Sequence, residues 1–383
     1  MTLPTKRLIS GASIASTIIG AGLVLATWLS SPPLARADEP VTVDTLFQWM
    51  LKYSNWGRWG LDDELGTVNF ITNFERRNAA AEVRLGISIK TAHEPRTMRF
   101  DPQQPFDPAF PTLAPKPLDP LEVDDPTPFV FWASPPAYQS DRWDFAMASV
   151  VHSHLDSLCH IASPPSASPR VYPERMVYNG RTLRENNTAR GCVKNGISTV
   201  ANQGIFTRGV LFDATLLPQL REGNNPWLAP GTGVTRANLE ALERIEGVRV
   251  VTGDVILLYT GRWKRRAAMG PWPSSCTGSA APPTCGEAGY WYDNNPFFYE
   301  RNIAQFGADA WNDTTPATGL ESYTSLPFHG FQASMGIAHY DNLDLEPLAK
   351  YCKDLGRYHF LFTTAPFPVA GGITSPLNPI AVF

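Results

Sequence analysis

Three of the seven histidines in this 383-residue chain fall within nine positions, in Ser149-Val-Val-His-Ser-His-Leu-Asp-Ser-Leu-Cys-His160. Along an extended strand side chains alternate between faces, so His152, His154 and Asp156 project to one side. His160 stands four residues beyond the aspartate, where the strand can turn back over that same side. Imidazole and carboxylate on one face are the donors that a zinc- or manganese-type cation takes. The plainer reading, a solvated strand with a few core histidines, suits a lone histidine better than a His-x-His-x-Asp-x-x-x-His run between apolar flanks. Cys159, inside the run, reads as a small buried apolar residue rather than a ligand or nucleophile.

The elements that must position this run alternate along the chain. Asp44–Ser54 has helical spacing, with Asp44 as its cap and Leu46, Phe47, Met50 and Leu51 on its apolar side. A second helix is expected over about Asn73–Leu85, after a Gly- and acid-rich entry loop that carries Trp56 and Trp59. These two tryptophans belong either to the core or to the wall of a pocket, which makes Trp59 the candidate substrate contact. Strand patterns occur at Ile87–Thr91, at Val210-Leu-Phe-Asp-Ala, at Gly253–Gly261 and at Tyr358–Thr364. Helices are expected from Thr235 to Glu246, with Leu239, Leu242 and Ile245 on one stripe, and over Leu345–Arg357. A proline-rich loop, 101–136, and an insertion, 262–300, interrupt the pattern. The tail to Phe383 ends apolar and is expected to pack inside. The fold class is therefore α/β in the mixed α+β sense, with antiparallel pairing, and a single domain over 38–383.

The N-terminus runs Lys6-Arg7, then uncharged from Leu8 to Leu34, then Ala35-Arg36-Ala37 before Asp38-Glu39. A basic start, an apolar middle and an Ala-x-Ala site describe an export signal, residues 1–37, with cleavage after Ala37 into a periplasmic or secreted protein. Left uncleaved, the same stretch would be a membrane anchor. Removing it takes away Lys6, Arg7 and Arg36 and no acid, which moves the net charge from −4 to −7. No basic cluster remains for nucleic acid, and no second apolar span for a stable membrane partner. Five cysteines in an exported chain invite disulfides. Cys276 and Cys285 bracket a short flexible loop and are the expected pair; Cys192 and Cys352 are a further possible one. Thirty-five prolines beside 11% aromatics indicate long, ordered loops.

The residues resemble the metal-dependent cyclase family, which includes bacterial kynurenine formamidases, isatin hydrolases and polyketide cyclases. Its hallmark is His-x-Gly-Thr-His-x-Asp-x-Pro-x-His, to which Val150-Val-His-Ser-His154-Leu-Asp156-Ser-Leu-Cys-His160 corresponds. Trp59-Gly-Leu-Asp-Asp-Glu-Leu-Gly-Thr-Val-Asn, Tyr178-Asn-Gly, Gly253–Gly261 and Gly-Gly-Ile-Thr-Ser-Pro-Leu-Asn-Pro-Ile near the end are also similar. The likeness implies the swivelling β/β/α fold, with loop insertions, and metal ligands at His154, Asp156, His329 and Asp341. Two departures stand out. Val150 occupies the place of the family's first ligand histidine, for which His152 is the substitute, and Asp341 replaces a glutamate. His160 takes the position to which the family assigns proton transfer. Asp309 either orients a ligand histidine or caps a turn, and His339 and His359 read as structural.

The chemistry expected is hydrolysis of an amide, lactam or lactone carbonyl, with one or two Zn or Mn ions supplying an activated water and His160 as general acid/base. The partners expected are a small, possibly aromatic, substrate and further copies of the same chain in a homo-oligomer. The alternatives are a lactone or carbamate hydrolase of the same family, or a non-catalytic protein that binds a metal or small molecule.

Overall fold

The computed structural model describes residues 41–93, 129–134, 138–143, 152–165, 172–276, 278–320 and 326–383. The expected export signal, most of the proline-rich loop and Val150 lie outside them. The chain divides into Met1–Arg36 and Ala37–Phe383, and everything below concerns the second unit. Among the described residues no helix is long and apolar enough to cross a membrane.

A nine-stranded sheet organises that unit. In chain order its strands are β1 (Ser88–Lys90), β2 (His154–Asp156), β3 (Ile205–Asp213), β4 (Val255–Tyr259), β5 (Gln305–Ala308), β6 (His339–Asp341), β7 (His359–Thr364), β8 (Thr374–Pro376) and β9 (Ile380–Val382). Across the sheet they run β1-β9-β7-β3-β4-β5-β6-β2-β8. The four central strands, β3 to β6, pair in parallel, and antiparallel strands flank them on both sides. The antiparallel expectation thus holds only at the flanks. The centre is parallel because its strands are buried on both faces: β4 reads Val-Ile-Leu-Leu-Tyr and is buried at every position. Each such side chain taken fully out of water contributes about 1.5–3 kcal/mol.

Local chemistry accounts for the helix ends. The first helix, α1 (Val43–Lys52), starts one residue past Thr42, whose hydroxyl accepts the Thr45 N–H; Asp44 lies in the first turn, not at the cap. Thr72 opens α2 (Asn73–Ala80) through a capping box with Glu75, and this helix stops five residues short of the sequence expectation. Thr235 opens α3 (Arg236–Ile245) in the same way with Asn238. Leu239 and Leu242 of α3 are buried, but Ile245 is 55% exposed, so the apolar stripe ends one turn early. Part of the expected insertion is core: Tyr290, Tyr292 and Phe297 are fully buried, and Arg262 opens the helix α4 (Arg262–Met269). Phe383 is fully buried, so the tail packs inside. Cys276 and Cys285 are bonded as expected. The other pairing is corrected: Cys159 bonds Cys192, and Cys352 is a free, buried thiol.

Glu246, just past α3, accepts the Asp213 N–H at 2.7 Å through Oε1, while its buried Oε2 has no hydrogen-bond partner. Burial pushes this carboxyl up to about 9. An unfolded glutamate titrates at about 4.3. Between those values the folded chain holds a proton that the unfolded chain releases, so this group's contribution to stability falls as pH rises through the window. Thermal denaturation from pH 5 to 8.5 should therefore show a steeper fall in Tm for the native chain than for Glu246→Gln. Parallel curves would locate the titration elsewhere.

Candidate metal centre

Two short strands carry most of the site, and their register decides what meets. β2 and β6 are antiparallel, with His339 opposite Asp156, Tyr340 opposite Leu155 and Asp341 opposite His154. The two polar rungs face one side, while Leu155 and Tyr340 point into the core and are fully buried. Four residues then converge: Asp156, His329, His339 and Asp341 bring one ligand atom each within 4.8 Å of one another. His339 Nε2 lies 3.2 Å and His329 Nε2 3.8 Å from Asp156 Oδ2. His329 Nε2 stands 3.5 Å from Asp341 Oδ2. His154 Nε2 reaches the same carboxylates, at 3.5 Å from Asp156 Oδ1 and 3.7 Å from Asp341 Oδ2. Tetrahedral ligands about 2.1 Å from a zinc ion stand roughly 3.4 Å apart, and the pairs given above, at 3.2 to 3.8 Å, lie on either side of that spacing.

The buried donors fit a cation on their own chemistry. Both carboxylate oxygens of Asp156 and both ring nitrogens of His339 are buried and complete no hydrogen bond, even at the 3.2 Å approach of the two residues. Buried polar atoms left without partners are costly unless something else satisfies them. Burial works against charge on Asp156, but the imidazoles of His160, His154 and His339 outweigh it and hold the carboxyl below its usual range. Asp341 is likewise lowered: burial opposes its charge, and His339 and His329 overcome that opposition.

Hydrogen bonds from neighbouring residues orient His154, His329 and Asp341. His154 Nδ1–H donates to the His152 carbonyl at 2.6 Å, leaving Nε2 to face the carboxylates. Asp313 accepts the Phe328 and His329 N–H groups and also binds His329 Nδ1, which aims His329 Nε2 at the centre. Burial would lower the His329 pKa, yet the Asp313 carboxylate dominates and raises it well above the ordinary value. Asn312 donates to the Tyr340 carbonyl at 2.8 Å and to Asp341 Oδ1. The His339 ring lies nearly parallel to Phe306, centroids 5.0 Å apart, and edge-on to His329.

His160 differs from the others. Its Nε2 is 3.4 Å from Asp156 Oδ2, but its side chain is 20% exposed where His154 and His329 are 2% and His339 is 0%. It is the histidine of the cluster that a ligand from solvent can touch. Burial lowers its pKa, the nearby Asp156 charge notwithstanding.

The sequence-predicted residues are thus placed unequally. His154, Asp156, His329 and Asp341 come together with His160 beside them. His152 supplies its carbonyl to His154 and is buried outside the four convergent residues. Trp59 packs on Phe70, with the Arg58 guanidinium 5.2 Å from its ring, while Trp56 donates to the Ala333 carbonyl. Asp309 caps α4, accepting from the N–H groups of Thr260, Gly261 and Arg262, and burial pushes it up to about 6. His359 pairs with Glu82 at 2.9 Å, as a structural residue does. His339, read from the sequence as structural, is instead a member of the cluster. Asn312 and Asp313 were also missed, although an Asn-Asp pair so soon after the buried strand β5 is the kind of polar interruption that marks a site.

No curated protein matches this chain. Among solved structures, a crystal structure of a novel cyclase is 24% identical, with a TM-score of 0.62, over 86% of this chain and 99% of that one. An isatin hydrolase bound to the product analogue thioisatinate is 13% identical over 79% of this chain and 93% of that one, with a TM-score of 0.48. Isatin hydrolase A from Ralstonia solanacearum is 19% identical over 80% and 94%, with a TM-score of 0.45. The first of these shows a common fold. The family model for cyclases matches residues 97–313, more than half of the sequence, and the chain belongs to that family.

Proposed function

We propose that the chain is a metal-dependent hydrolase that opens an amide, lactam or lactone carbonyl. The observation that carries this reading is the group of buried, unpartnered Asp156 and His339 atoms at ligand spacing, with the half-buried His160 alongside. Asp156, His329, His339 and Asp341 would hold a zinc- or manganese-type ion, with His154 as a fifth donor. Such an ion supplies a water acidified toward neutral pH and a polarised carbonyl. Asp313 and Asn312 keep the donors aimed, so that little reorganisation is needed when charge develops at the centre. His160, open on one side, would take a proton from the attacking water and return it to the departing nitrogen or oxygen.

Export belongs to the same reading. The bonds Cys159–Cys192 and Cys276–Cys285 suit an oxidising compartment. N-terminal sequencing of protein recovered from the extracytoplasmic fraction should begin at Asp38. Assembly into a homo-oligomer, checked by light scattering, completes the proposal.

Protein purified without chelators should carry one or two divalent ions per chain by elemental analysis. Asp156→Asn should lose most of that metal, and chelation of the native protein should lower Tm by several degrees, because a ligand that binds only the folded state adds to its stability. A chain purified free of metal, with no response to added zinc or manganese, would sink the metal centre. In a hydrolysis screen of N-formylkynurenine, isatin and simple lactones, His160→Ala should reduce kcat by about 10²–10⁴-fold while metal content stays at the native level. Unchanged turnover in that variant would remove His160 from the mechanism.

A further inference from the structure

His160 sits just beyond the sheet. Pairing of β2 with β6 ends at Asp156, and the last bond to the edge strand side is Ser157 N–H to the Ile373 carbonyl at 3.0 Å. The backbone then turns, with the His160 N–H donating to the Ser157 carbonyl at 3.0 Å. One turn bond alone is a slight hold on a side chain for which a misplacement of about 1 Å can cost about 10²-fold in rate. The remaining hold comes from a small hairpin, Asn187–Thr188 paired with Gly191–Cys192, in which Asn187 stands directly opposite Cys192. Both members of that rung grip Cys159, the residue before His160. Asn187 Nδ2 donates to the Cys159 carbonyl at 2.8 Å, and Cys192 Sγ is bonded to Cys159 Sγ.

The hairpin is itself anchored. The Cys192 N–H donates to the Gly371 carbonyl at 2.9 Å, and Gly191 approaches Gly371 so closely that a Cβ on it would lie 2.2 Å from that oxygen. Gly191 also has φ +100°, which only glycine adopts without strain. The segment that carries Gly371 continues through Ile373 into β8, which pairs with β2. A closed frame therefore runs from β2 through the tail and the hairpin back to Cys159.

We propose that the Asn187–Cys192 rung is a clamp that positions His160 over the metal centre, acting through the Cys159–Cys192 disulfide and the Asn187 amide. Asn187, Cys159 and Cys192 are positioning residues, since none of them belongs to the four convergent residues. This inference rests on the reading of His160 as the proton carrier, and two measurements separate the fates of the two ideas.

The first is a double-mutant cycle on the metal-loaded enzyme. Cys159→Ser/Cys192→Ser should lower kcat at least tenfold with KM within about threefold and metal content unchanged, and should cause no further loss in a His160→Ala background, because residues that act through one group are not additive. Cys276→Ser/Cys285→Ser, which removes the remote bridge, should leave turnover at the native level. Equal losses from the Cys159/Cys192 change in both backgrounds, or no loss in either, would overturn the clamp. The second measurement needs no substrate. In histidine-labelled, metal-free protein the His160 ring resonances should shift or broaden in Cys159→Ser/Cys192→Ser and remain fixed in Cys276→Ser/Cys285→Ser. Unmoved His160 resonances would refute the clamp, even if His160→Ala had by then shown that the hydrolase reading itself was wrong. Should the serine pair fail to fold, Asn187→Ala releases the same turn with the disulfide intact and is judged by the same resonances.

Discussion

The rung-by-rung pairing of β2 with β6 is the constraint on which the centre depends. It places a histidine across from an aspartate twice, in opposite senses, on one face of the sheet. Nothing polar needs to select that register. Leu155 and Tyr340 do so by occupying the core between the two polar rungs, since a one-residue slip of either strand would turn its apolar residue into the site and its own histidine and aspartate into the apolar interior. Two buried apolar side chains thus decide where the charged ones face.

A second layer of polar residues keeps the ligands in place, and it is concentrated in the five positions after β5. Asp309 satisfies the start of α4, Asn312 reaches Asp341, and Asp313 holds both the backbone and the ring of His329. Further out, the buried Arg262 pairs with Glu287 at 3.0 Å and donates to Asn342, the neighbour of Asp341. Every one of these groups would be costly if left alone in a region this dry; linked, they stiffen the loop from which two ligands are aimed.

Much of this was legible in the residues alone, for identifiable reasons. His154 and Asp156 announce themselves because alternation on a strand makes facing pairs visible at spacing two. Strands β3, β4 and β7 and the helices α2 and α3 were readable because apolar runs and, at α3, the Thr235 cap are local signals. His339 was not readable as a ligand, because its role comes from a cross-strand neighbour 183 positions earlier, and no local pattern encodes that meeting. The same holds for Cys159, whose neighbours in sequence suggest a core residue while its partner Cys192 lies on a hairpin of two-residue strands with little sequence signature. Asp44 and Ile245 failed for a different reason. Helix periodicity locates a face, but a competing cap at Thr42 and the end of the packed surface past Leu242 set the limits.

The place of β8 at the sheet's outer margin has a consequence for how the protein is made. β2 is a three-residue strand that lies between β6 and β8, and its outer neighbour does not exist until residues 374–376 have been synthesised. Contacts between such remote segments are slow to form, because the intervening chain must first be closed into a large loop. The donor cluster is therefore completed only when the distant end of the chain has joined the sheet, which ties the geometry of β2 to the last ten residues of the sequence.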